Sequence, residues 1–256
     1  MCNVTVPTNT VPSPSAFIPP DPADIDELVR SNNLIYQGED AGGDVPPSLG
    51  RGGGRNNPPI EYIPPGDPAS LTGTGFENLN SVLDQSLENG DDWAEFKSGP
   101  GNPYIADCYE ICGWSRNTND GNVPWCAGYV SFMLYQGGIE SLRTLSSQAY
   151  LRYGTEIDWT DWSQVRINDI VVLTNRSDTS KGHVGFFRGY NRDRDQVIVL
   201  GGNQSDKVKL STYAVNSSSR RLFVRSIKRN WAIPEEFDRP LYVNASGEPE
   251  SYGQTR

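Results

Sequence analysis

Asp169-Ile170-Val171-Val172-Leu173-Thr174, followed by Gly182-His183-Val184-Gly185-Phe186-Phe187-Arg188-Gly189-Tyr190, is the stretch that decides the fold. Short runs of β-branched and aromatic residues, separated by polar turns, read as strands of an antiparallel sheet. Three more runs follow: Gln196–Leu200, Val208–Tyr213 and Arg221–Ile227. Upstream the period is helical. Apolar residues recur at helical spacing over Glu77–Leu87, and further helices are expected at Pro103–Cys112, Pro124–Tyr135 and Thr144–Tyr153. Pro124 fits a first turn, where its missing N–H costs nothing, and Gly137-Gly138 stops that helix. Helices first and sheet second predict an α+β fold with about five antiparallel strands.

Composition divides the chain. Of its 19 prolines, 14 fall in residues 1–100. Residues 1–70, with four Pro-Pro pairs and Gly52-Gly53-Gly54, read as an extended arm, with one short helix at Asp24–Val29. Its scattered large apolar residues, Phe17, Ile18 and Tyr36 among them, suit an arm that docks on a partner. Residues 71–100 read as a helical linker, 101–230 as the compact domain and 231–256 as a tail.

The net charge of −10 argues against nucleic acid as a partner, because a polyanion needs a basic footprint. No run of 18 apolar residues is present, so no membrane span is expected. Met1–Pro7 lacks the basic and apolar regions of a secretory signal. Cys108 and Cys112 lie four apart on an expected helix, a poor geometry for a disulfide, and read as small buried hydrophobes. No metal and no cofactor is expected. Asp91 with Asp92 and Asp193 with Asp195 read as solvated turns, since neither matches a calcium loop.

Three residues carry chemistry. Cys126 lies at a helix start, where orphan amides favour a thiolate and the oxyanion formed on its attack; it also reads as a cysteine buried behind Trp125. His183 is the one histidine of the chain. It is the side chain that ordinarily titrates near neutrality, and it also reads as a structural strand residue. If the loop at residues 191–195 closes a hairpin with Tyr190 facing Gln196, His183 faces Asn203, within reach to orient the imidazole. Asn203 reads equally as a turn residue after Gly201-Gly202.

Pro124-Trp125-Cys126-Ala127, Asp169-Ile170-Val171-Val172, Gly182-His183-Val184-Gly185-Phe186 and Leu200-Gly201-Gly202-Asn203-Gln204, in that order, resemble the NlpC-type cell-wall cysteine peptidases, in a branch found in bacteriophages and related to the CHAP amidases. The resemblance covers residues 101–230. It implies a papain-like fold and cleavage of amide bonds in peptidoglycan. It further implies Cys126 as nucleophile, His183 as base then acid, and Asn203 as orienter. Tyr104, Asp120 and Asn122 are candidates for the oxyanion side chain. Trp114, Trp125, Trp159 and Trp162 are expected near the cleft, as sugar platforms or as packing. The reading that follows is a peptidoglycan hydrolase carried in the phage virion, made in the host cytoplasm and bound to tail or baseplate proteins through residues 1–100. A free endolysin, and a structural virion protein with a degenerate hydrolase domain, are the alternatives.

Overall fold

The computed structural model describes residues 75–96, 101–216 and 218–244. The expected arm over 1–70, its helix at Asp24–Val29, and the end of the expected tail from 245 lie outside these residues.

Three α-helices precede the sheet: α1 (Gly75–Glu88), α2 (Pro103–Ile111) and α3 (Cys126–Gln136). Helix α2 starts on a side-chain cap, with Asn102 accepting from the Tyr104 amide and Pro103 in the first turn. Helix α3 is apolar on nearly every side and correspondingly buried from Cys126 to Leu134. Helices α2 and α3 touch at Gly128, where a methyl group would lie 3.2 Å from the Cys108 carbonyl oxygen and 2.9 Å from Leu145. Helix α1 is part of the same core, since Phe76, Leu79 and Leu83 are buried and Leu79 and Leu83 pack with α3.

The sheet has seven strands: β1 (Thr155–Ile157), β2 (Ile170–Asn175), β3 (Gly182–Asn191), β4 (Gln196–Gly201), β5 (Lys209–Ala214), β6 (Leu222–Arg229) and β7 (Tyr242–Val243). Their order is β1-β6-β2-β3-β4-β5, antiparallel throughout, and β7 adds to β3 in parallel. The α+β arrangement is as expected, with two strands more than the sequence suggested. The expected helix over Thr144–Tyr153 is a 3-10 helix restricted to Ser147–Arg152.

Alternation along the strands separates two layers. Ile170, Val172, Val184, Phe186 and Leu200 face the helices. Val171, Leu173, Phe187, Val197 and Val199 face the other way, into a second core closed by Trp159, Trp162 and Tyr190. Both faces of β2 are therefore covered, which is why its sequence is a continuous apolar run. Trp162 stacks on Tyr190 at 4.2 Å with 7° between the planes. This puts Trp159 and Trp162 on the face away from the helices, as packing residues and not near the cleft.

The β3–β4 hairpin departs from the expected register by one residue at the turn and returns to it beyond a bulge. Tyr190 pairs with Val197, and Asn191 with Gln196. A bulge between Phe187 and Gly189 then absorbs one residue, so Phe186 faces Leu200. Beyond Leu200 no further residue of β4 is paired with β3.

Candidate active site

The site lies where β3 begins, β4 ends and α3 starts. Trp125 precedes the helix and is fully buried, its indole nitrogen donating to Glu95 Oε1 at 2.9 Å. That anchor fixes Cys126 as the first helical residue. The Cys126 sulfur is buried and surrounded by backbone amides: its own, that of Ala127, and that of Val184 on β3. The amides favour a thiolate, but burial outweighs them and pushes the thiol up to about 11.

Val184 follows His183, so the thiol meets the peptide group next to the imidazole. His183 is 8% exposed. Its ring lies against Tyr213, with centroids 5.7 Å apart. Burial pushes the imidazole down to about 4, and the neighbouring Gln204 side chain partly opposes this. At neutral pH both groups are therefore uncharged. No hydrogen bond joins thiol and imidazole among the described residues, and Nε2 is buried without a partner.

Asn203 stands in the left-handed region at φ 58°. Its neighbours orient its amide: the nitrogen donates to Glu95 Oε1 at 3.3 Å and the oxygen accepts from the Trp125 amide at 3.2 Å. Asn203 thus ties the loop to the start of α3, and these bonds direct its carboxamide to Trp125 and Glu95. Gln204, which the sequence did not single out, is fully buried. It donates to the carbonyls of Val199, Gly201 and Lys209, and accepts from the Tyr213 hydroxyl at 2.8 Å. Its position beside the histidine depends on the bulge and the loop, which no local pattern announces.

Cys126, His183 and Asn203 line one cavity of about 820 Å³, together with Glu95, Asp120 and Asp206. Of the oxyanion candidates, Asn122 lines it too. Asp120 does so while its side chain accepts from the amides of Asn102 (2.8 Å) and Phe96 (3.3 Å), so it is held by the loop backbone. Tyr104 packs instead on Trp93, with ring centroids 5.1 Å apart. Trp125 is fully buried and Trp114 is 51% exposed, and neither lines the cavity.

Cys108 and Cys112 are free thiols on α2 and just after it, the first fully buried. Among the described residues, no three His, Cys, Asp or Glu side chains gather as metal ligands. No helix there is long and apolar enough to cross a membrane.

Compared with protein-family models, with curated proteins and with solved structures, the chain has no significant match.

Proposed function

We propose that the chain is a papain-like cysteine hydrolase of the NlpC type that cuts amide bonds of peptidoglycan, carried in a phage particle at the tail or baseplate. One observation carries the chemistry. The Cys126 sulfur sits at the first residue of a buried helix, against the amide next to His183, and both residues line the same cavity.

With both groups neutral at rest, proton transfer accompanies attack. The imidazole takes the thiol proton as the sulfur bonds to the substrate carbonyl carbon. The amides of Cys126 and Ala127 favour the oxyanion that forms there. The C–N bond then breaks, the imidazolium proton leaves with the amine, and an acyl-enzyme remains. Water gives its proton to the imidazole and its hydroxide to the acyl carbon, releasing the acid and restoring the thiol. The virion role rests on composition, the Pro-rich segment before residue 75 being suited to docking on tail or baseplate proteins.

That Cys126 and His183 are uncharged and not hydrogen-bonded to each other favours a second reading, a virion protein that keeps the fold without catalysis. Muropeptide release from purified walls separates the two. Wild type is expected to release fragments and Cys126→Ala at least about 1,000-fold fewer. Equal release by both removes the thiol mechanism, and mass spectrometry of the products identifies the bond.

A further inference from the structure

We infer that Gln204, steadied by Tyr213, is the positioning residue for His183 in place of Asn203. The functional half of this inference rests on the hydrolase reading above; the contact itself does not.

The imidazole Nε2 is buried and unpartnered, which folded proteins rarely leave so. A methyl group on Gly201 would lie 3.0 Å from that nitrogen and 3.3 Å from both Cδ and Nε2 of Gln204. The carboxamide and the imidazole therefore flank the same bare Cα, and a glycine there leaves them free to meet. The Gln204 amide is already oriented: its nitrogen donates to the Val199, Gly201 and Lys209 carbonyls, so its oxygen is the acceptor. That oxygen takes the Tyr213 hydroxyl at 2.8 Å and has a second lone pair to offer. Tyr213 also lies against the imidazole ring, limiting its rotation. A small turn of the ring gives an Nε2–H bond to Gln204 Oε1. In the hydrolase reading, the Nε2–H tautomer leaves the Nδ1 lone pair as the proton acceptor of the ring. Asn203 is engaged with Trp125 and Glu95.

One histidine means one imidazole signal. Long-range proton–nitrogen correlation spectra of the uniformly ¹⁵N-labelled full chain read its tautomer and titration directly. Wild type is expected in the Nε2–H form. Gln204→Met, similar in size without an acceptor, is expected to lose that preference and to lower kcat about tenfold or more with KM little changed. Gln204→Glu, which keeps the shape if the Met variant fails to fold, is expected to raise the titration midpoint by about one unit or more. Asn203→Ala is expected to leave the tautomer as in wild type. An Nδ1–H wild type, an unmoved midpoint in Gln204→Glu, or a tautomer that follows Asn203 instead overturns the assignment. If these spectra behave as expected while Cys126→Ala still matches wild type on cell walls, the contact stands and the hydrolase reading falls.

Discussion

Gly202 lies against the Trp125 indole so closely that a methyl group on it would stand 2.4 Å from Cζ3 and 2.6 Å from Tyr129 Cβ. The loop carrying Asn203 and Gln204 is thereby seated on the first turn of α3, and the two halves of the site are assembled by one close approach. Gly202→Ala is expected to cost roughly 1–3 kcal/mol or more from overpacking, and to lower hydrolysis by displacing the loop. Denaturant midpoints and wall-release rates measured together test this. An unchanged midpoint contradicts it.

The pH dependence of kcat/KM reports the free enzyme's titrating groups. With the imidazole held down to about 4 and the thiol up to about 11, activity should be level through neutral pH. It should fall only as the imidazole takes a proton on the acid side, with a midpoint near 4. A midpoint near the ordinary histidine value, about 6.5, would mean that the ring is solvated in solution.

The same depressed pKa makes stability depend on pH. On acidification the unfolded chain binds the histidine proton first, so stability is full above about pH 6.5 and declines toward pH 4. The loss is roughly 3 kcal/mol over that interval, at 1.36 kcal/mol per unit. Urea unfolding of wild type and His183→Asn at several pH values should show this slope in wild type alone. A common slope would assign the effect to carboxylates.

Arg188, at the β3 bulge, donates to Asp84 of α1 at 2.8 Å. Its guanidinium is 9% exposed, with Nε and Nη2 unpartnered. Asp84→Ala should leave a buried, unpaired cation and destabilise by about 3–5 kcal/mol. In an Arg188→Met background the same change should cost far less. Equal losses in both backgrounds would show that the pair is not coupled. Helix α1 would then owe its docking to Leu79 and Leu83.

Strands β2 and β3 were legible because a sheet covered on both faces demands unbroken apolar runs, and Ile170–Leu173 and Val184–Phe187 supply them. Helix α3 was legible from its apolar run and from Gly137 at its end, although Pro124 lies just before the N-cap Trp125 and not in the first turn. Strand β1 was not, since Thr155 and Glu156 are exposed and its pairing with β6 is a long-range contact without a local pattern. Strand β7 is two residues long and leaves almost no period to read. The site was half legible. Cys126 and His183 announce their chemistry by residue type. The third position depends on register, and the Arg188 bulge with the left-handed Asn203 sets adjacent carboxamides to different tasks. Nothing in Gly201-Gly202-Asn203-Gln204 distinguishes them before the chain is folded.

Strand β3 runs on for several residues past Ile170, where β2 begins, and β7 takes up part of that vacant edge, beside Tyr190 and Asn191. His183 and Asn191 are eight positions apart on β3, a span of roughly 25 Å at strand spacing. A tag, a label or a fused domain attached after Asn244 would therefore leave from the end of the sheet opposite the cleft. The chain can be tethered there to a surface with its cavity still turned outward.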